Sequence, residues 1–314
     1  MNRRQILKIS AGAAVVARAL AQSRPESRGL KIDIYSRHLQ WLRTADEVAE
    51  AAAEMGYDGV DITVRPYPGH VDPARVAQEL PPFVNTIRKR GLLVRAITTN
   101  ISDADSPNAE AILRTASELG LTHYWWGTYR YDPGRPVFEQ LDALKPRVAK
   151  LAALNAKYRM TAMYHNYAGT QVGSAIWDLL YVLKDFDPAQ VGFHYDIGHA
   201  TNAGGAGTWI HNLRAAGRYI RGVSVKDSYL ERSASGDWRP HYTPLGQGNV
   251  QLQQLVSILK EINFSGPIEI QAEYPNGGAE NAQDKITLPR SQVLGAMKRD
   301  LEVLRGALRG VGLA

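Results

Sequence analysis

The sequence predicts a single-domain (β/α)8 TIM barrel, and three observations carry that prediction. From Gly29 onward, short β-rich runs alternate with longer helical patterns, eight of each. Such a rhythm over roughly 260 to 290 residues matches the size of one closed barrel. The first run is followed by Tyr35-Ser36-Arg37-His38 rather than by the glycine-rich turn that a doubly wound sheet places there.

The first strand is Lys31–Tyr35, Val/Ile/Tyr-like in character and preceded by Gly29. A helix over Thr44–Met55 follows, because Thr44 and Glu47 form a capping-box pair and Gly56 supplies a stop. The second strand, Gly59–Val64, leads to a helix over Pro82–Arg90 that ends at Gly91. The third, Leu93–Thr98, is followed by Asn108–Leu119 and the stop Gly120. His123–Trp126 and the long helix Val137–Tyr158 make the fourth unit. Thr161–His165 with Ala175–Asp185, and Val191–Asp196 with Thr208–Ala216, make the fifth and sixth. Gly222–Lys226 is the seventh strand, and Asp227–Val250 is read as an irregular loop before the helix Leu252–Ile262. Ile268–Glu273 and Leu288–Leu308 close the count. The loop after strand 7 belongs on the catalytic face of such a barrel.

The 314 residues carry a formal net charge of +6 and no cysteine. A basic balance invites a nucleic-acid or membrane-surface reading, which depends on where the charge sits. The N-terminal residues 1–21 have a charged start containing Arg3, Arg4 and Lys8, an apolar stretch, and a small-x-small end at Ala19-Leu20-Ala21. That is the pattern of a signal peptide, too short to anchor in a bilayer. Arg3-Arg4 followed by Leu7-Lys8 resembles a twin-arginine signal, which implies export to the periplasm. Four basic residues and no acidic one lie within residues 1–21, so their removal lowers the net charge from +6 to +2. Residues 22–28 read as a linker and 29–314 as the barrel. The nearly neutral barrel lacks a footprint for tracking phosphates, so no nucleic-acid partner and no stable membrane anchor are expected.

Chemistry in a barrel sits at the C-terminal ends of the strands. Those ends carry Asp61 and Arg65, with His70 beyond; His165-Asn166; Asp196 and His199; Lys226-Asp227; and Glu269, Gln271 and Glu273. Strand alternation puts 269, 271 and 273 on one face, toward the axis. Singly, each has an ordinary reading. A lone histidine is usually a hydrogen-bonded structural residue, Asp196 caps a helix, Lys226-Asp227 is a surface ion pair, and Arg65 braces a loop. Convergence of all of them on consecutive strand ends favours a site.

At these residues the chain resembles the xylose-isomerase-like TIM-barrel superfamily, the sugar phosphate isomerase/epimerase group. The carriers are Tyr164-His165-Asn166, Asp196-Ile197-Gly198-His199-Ala200, Val225-Lys226-Asp227, Pro244-Leu245-Gly246-Gln247-Gly248 and Gly266 through Tyr274. A partial likeness to the endonuclease IV branch, through Asp196-x-x-His199-Ala200, fails on the small number of histidines at strand ends. The resemblance implies one divalent metal ion, held by Glu, Asp, His and Glu from strands 5 to 8. Of those only the aspartate stands unchanged, as Asp196. His165, Ser224 and Gln271 occupy the other three positions.

The resemblance then implies His165, Asp196 and Gln271 as metal ligands, with Glu273 or His199 completing the shell and Mn, Co or Zn as the ion. It implies proton abstraction α to the carbonyl of a small carbohydrate, giving isomerisation, epimerisation or β-elimination of a 3-keto-glycoside. Lys226 would polarise the carbonyl, and Glu273 would be the base, with His199 behind it. Arg65, His70, Asn166, Asp227 and Trp126 would bind substrate, and Trp125 and Trp238 are further candidates for stacking on a sugar. A homodimer is the expected assembly. The rival expectation is a non-catalytic sugar-binding barrel with a decayed metal site, which Ser224 and Gln271 would suit.

Overall fold

The computed structural model describes residues 29–314, so the signal peptide and linker expected over residues 1–28 lie outside the described residues. Eight parallel strands close a barrel. They are β1 Ile32–Tyr35, β2 Gly59–Thr63, β3 Ala96–Thr98, β4 His123–Trp126, β5 Thr161–His165, β6 Val191–Asp196, β7 Ile220–Val225 and β10 Ile268–Ile270. Between β7 and β10 an antiparallel hairpin, β8 Asp227–Arg232 and β9 Trp238–Thr243, stands apart as its own two-stranded sheet.

The helices are α1 Ala45–Met55, α2 Val76–Lys89, α3 Ala109–Glu118, α4 Val137–Tyr158, α5 Trp177–Leu183, α6 Ile197–Ala216, α7 Leu252–Glu261 and α8 Arg290–Gly310. The capping box at Thr44 and Glu47 forms, and Gly56 ends α1 with φ at 88°. Helix α2 starts six residues before the expected Pro82. Pro81 and Pro82 lack the N–H groups that would reach back to residues 77 and 78. Ala77 and Gln78 are exposed, so water can satisfy their carbonyls. Helix α6 also starts earlier than expected, directly at the end of β6, and Gly205 breaks its helical path. The segment read as an irregular loop holds the β8–β9 hairpin.

Strand parity divides the side chains. Ile32, Ile34, Val60, Ile62, Tyr164, Phe193, Tyr195, Val223, Val225, Ile268 and Ile270 face outward into one continuous apolar layer under the helices. The alternate positions face the axis, where Tyr35, Ala96, Trp125 and Met163 form a small separate cluster. The other inward positions are polar or glycine, and those toward the C-terminal mouth include Thr63, Thr98, His165, Asp196 and Ser224. No described helix is long and apolar enough to cross a membrane.

Candidate active site

Lys226 is the centre of the polar interior. Its side chain is 1% exposed and its Nζ donates to His199 Nε2 at 2.9 Å, to Gln271 Oε1 at 3.2 Å and to Glu273 Oε2 at 2.9 Å. Those three bonds use all three ammonium protons. Asp196 Oδ2 lies 3.1 Å away as a fourth, purely ionic contact. Burial alone would lower the lysine pKa, but the Asp196 and Glu273 carboxylates outweigh it and keep the ammonium charged.

The partners are fixed in turn. Asp196 ends β6 and its Oδ1 accepts the His199 N–H at 2.7 Å, capping α6. One carboxylate therefore serves as a helix cap and as an ion-pair partner together. Asn166 holds the Asp196 backbone at both ends, accepting from its N–H at 2.8 Å and donating to its carbonyl at 3.1 Å. His165 Nε2 lies 3.4 Å from Asp196 Oδ2, and its ring stacks on Trp125 with centroids 4.1 Å apart. Burial, together with the neighbouring His194, His199 and Lys226, holds His165 neutral. His199 is pushed down to about 4 by burial and by Lys226. Burial would raise Glu273, but Lys226 and His199 override it and hold the carboxyl at about 2. At neutral pH the site therefore presents one ammonium, an ionised Glu273 and two neutral imidazoles.

Gly198 makes room for this arrangement. A Cβ there would stand 2.6 Å from Lys226 Cγ and 3.3 Å from Asp196 Oδ1. Gly198→Ala should push the lysine stem off its path. We expect a fall in any Lys226-dependent activity of about tenfold or more, with a stability loss of only about 1–3 kcal/mol. Parallel rate and urea-unfolding measurements would check it.

Beneath the ammonium, Gln271 Nε2 donates to Glu269 Oε1 at 2.8 Å, and Glu269 faces Asp61, which accepts from Thr98 Oγ1 at 2.8 Å. Burial raises both acids, and the Asp61 charge raises Glu269 further, so the pair retains a proton. The folded-state pKa of Glu269 lies above its unfolded value of 4.5. The stability it confers is complete below that value and is lost as pH rises through the folded pKa. Glu269→Gln keeps the bond from Gln271 and removes the titration. The variant should gain on the parent between pH 5 and pH 8, read as the difference in urea midpoints.

A cavity of about 390 Å³ opens at the mouth beside this group, lined among others by Arg65, Thr99, Trp125, His165 and Tyr167. Arg65 is held there by the Thr99 carbonyl and by the Tyr35 hydroxyl at 3.1 Å, with its guanidinium 5.1 Å from the Trp125 ring. Cavity and charged cluster meet at His165 and Tyr167, whose rings lie 4.7 Å apart. Tyr167 and Tyr242 were not anticipated. The first lies two residues past the end of β5, and the second sits on β9 with its ring 5.4 Å from Lys226 Nζ.

Of the expected site residues, Lys226, His199, Glu273, His165, Asp196 and Gln271 come together, and Arg65 lines the cavity beside them. Four expected substrate contacts have protein partners of their own. Asn166 is committed to the Asp196 backbone. His70 spends both ring nitrogens on Thr63 Oγ1 and the Leu42 carbonyl, at 3.0 and 3.1 Å, which fixes the loop after β2. Asp227 accepts four backbone N–H groups, from Ser228, Gly246, Gly248 and Val250. Trp126 has outward parity, packs against Tyr129 and Tyr164 and donates to the Ser102 carbonyl; Trp125 is the inward one. Trp238 is 67% exposed on the hairpin, away from the cluster.

Of the expected metal set, His165 and Asp196 stand together with His199 in a group that could hold an ion. His165, Asp196 and His199 offer donor atoms within 4.8 Å of one another. Zinc and similar ions need lone pairs at about 2.0–2.2 Å. Here the Asp196, His199, Gln271 and Glu273 lone pairs converge on Lys226 Nζ at 2.9–3.2 Å, the spacing of an ammonium. Ser224 Oγ, at the position where the resemblance expects a histidine, is buried without a partner. The acceptors around Nζ are arranged for an ammonium.

Over residues 49–293 the chain matches the family model described as xylose isomerase-like TIM barrel. A curated relative, the uncharacterized protein MJ1311 of Methanocaldococcus jannaschii, is 29% identical over 195 residues, which is 62% of this chain. The match spans only 61% of the length of that relative. Among solved structures, the apo 3-keto-D-glucoside 4-epimerase YcjR from E. coli aligns with TM-score 0.63 at 15% identity, over 88% of this chain and 99% of that one. A D-psicose 3-epimerase from Clostridium cellulolyticum H10 gives 0.64 at 14%, over 89% and 99%. A xylose isomerase domain protein from Planctomyces limnophilus gives 0.63 at 16%, over 91% and 99%. At these identities the structural likeness concerns the fold, while the family match covers most of the sequence. The chain belongs to the xylose isomerase-like TIM-barrel family.

Proposed function

We propose that this protein is a sugar isomerase or epimerase that moves a proton α to the carbonyl of a keto-sugar or 3-keto-glycoside. The observation that carries the reading is a buried ammonium shared with an ionised carboxylate, at the mouth of a barrel and beside a polar cavity. Two proteins of similar fold, a 3-keto-D-glucoside 4-epimerase and a D-psicose 3-epimerase, support it. In this reading the sugar ring lies over Trp125, and Arg65 holds its hydroxyls. The carbonyl oxygen accepts an N–H from Lys226. The Glu273 carboxylate removes the α-proton, leaving an enediolate whose oxyanion faces the ammonium. As Lys226 turns to that oxygen, its hold on Glu273 weakens and the carboxylate becomes more basic. His199 is the second choice of base. Returning the proton to the other face gives an epimer, and to the neighbouring carbon an isomer. Loss of a β-glycosidic oxygen gives elimination.

The reading of a non-catalytic sugar-binding barrel is favoured by one observation, the commitment of every Lys226 proton in the free protein. Solvent-deuterium exchange into a panel of keto-sugars separates the two. Incorporation at the α-carbon supports the enzyme; binding of the same sugars without incorporation supports the binding module.

Export through the twin-arginine route to the periplasm, and pairing as a homodimer, are parts of the same proposal. The first is supported by residues 2–21 of the sequence. Cell fractionation of the parent and of an Arg3→Lys, Arg4→Lys variant tests it: retention of the parent in the cytoplasm refutes export. Light scattering on the purified protein tests the second.

A further inference from the structure

We propose that the Lys226 ammonium is the resident cation of this site and that the protein binds and needs no divalent metal. The inference rests on the proposed function only for what the cation does; its placement stands on geometry. Lys226 lies on the inward parity of β7, two residues beyond Ser224, and reaches the point where Asp196, Gln271, Glu273 and His199 converge. Three acceptors take its three protons, and the Asp196 carboxylate adds an ionic contact. The ammonium answers one of the two carboxylate charges, and its hydrogen bonds to neutral Gln271 and His199 complete its shell. A divalent ion drawn to the same carboxylates would have to sit against the ammonium, and the repulsion between the two cations in a buried site opposes it.

The surroundings are shaped for a lysine stem. Gly198 leaves open the space that any Cβ would take from Lys226 Cγ. Asn166 and the α6 cap hold Asp196 with one oxygen toward the ammonium. Ser224 brings only a hydroxyl, a weak donor to a divalent ion, and that hydroxyl is buried without a hydrogen-bond partner. An ammonium supplies one positive charge and directional N–H donors to a developing enediolate, which is the service asked of a cation in this chemistry.

The test uses the full chain, purified after exposure to Mn, Co and Zn salts and then dialysed. Elemental analysis should find less than about 0.1 ion per chain. Neither EDTA nor about 100 µM of each ion should move the melting temperature. One tightly held ion per chain, or a melting temperature that drops in EDTA and returns with metal, overturns the proposal. With any keto-sugar that exchanges, EDTA should change the rate less than about twofold; an EDTA-sensitive rate also overturns it. Absence of exchange with every sugar would sink the functional reading alone, since the metal and melting measurements decide the cation without it. Lys226→Met vacates the position and should raise affinity for divalent ions at least tenfold over the parent. Unchanged affinity in a folded variant counts against the lysine as occupant, and if that variant does not fold, the parent measurements decide.

Discussion

Lys226→Met is expected to lower stability by about 3–5 kcal/mol and to cut α-proton exchange by about 10²–10³-fold. Methionine keeps an unbranched stem of similar length, so it can run past Gly198 as lysine does. What it removes is the charge. Asp196 is fully buried and Glu273 is 26% exposed, and without the ammonium the two acids and the His199 Nε2 lone pair confront one another. The pH dependence carries the signature. In the parent, Glu273 is depressed to about 2, so its stabilising contribution is present above its ordinary 4.5 and lost as pH falls through about 2. In the variant Glu273 loses the ammonium that holds it down, and acid conditions relieve the cost of the unpaired charge. The stability gap should be widest near pH 8 and narrow below about pH 4.5. Urea unfolding at both pH values, with deuterium exchange by NMR, checks the expectation. A variant of parental stability and exchange rate would remove Lys226 from the centre of the site.

Much of this site is legible in the sequence because a strand has only two faces. Once β10 and β7 are placed, parity alone sends Glu269, Gln271 and Glu273, and Ser224 with Lys226, toward the axis. Parity also decides between the two tryptophans of β4, and attention to it would have chosen Trp125. What parity cannot show is the occupant at the point of convergence. Read by position, His165, Asp196 and Gln271 are metal ligands. Read in three dimensions, an amine from the same barrel reaches the point first. Residues beyond the strand ends were less legible. His70 and Asp227 have the chemistry of binding residues, yet their hydrogen bonds go to loop backbone whose path the sequence does not reveal. Tyr242 arrives on a hairpin that Pro240 and Gly236 disguise as irregular loop.

Asp227→Ala is expected to cost about 3–5 kcal/mol, against about 0–1 kcal/mol if Asp227 belonged to a surface ion pair with its neighbour. The two readings of Lys226-Asp227 thus differ by a margin that a single unfolding curve resolves. Asp227 is 1% exposed. Its Oδ1 accepts from the Ser228 and Val250 N–H groups at 2.8 and 3.0 Å, and its Oδ2 from Gly246 and Gly248 at 2.9 and 3.0 Å. One carboxylate therefore gathers both feet of the β8–β9 hairpin and the loop leading to α7. Alanine leaves four N–H groups facing a void, and those that stay buried bear the desolvation penalty in full. Asparagine tests the charge separately. Its amide offers one acceptor oxygen for two of the donors, while its NH2 meets the other two donor to donor. It should therefore resemble alanine more closely than the parent. Because β9 carries Tyr242 to the ammonium, loosening the hairpin should also expose residues 228–250 to protease and lower exchange. The second loss should appear even where the folded population remains near complete. An Asp227→Asn protein with parental stability and an uncleaved hairpin would show that the loop is held by something other than this carboxylate.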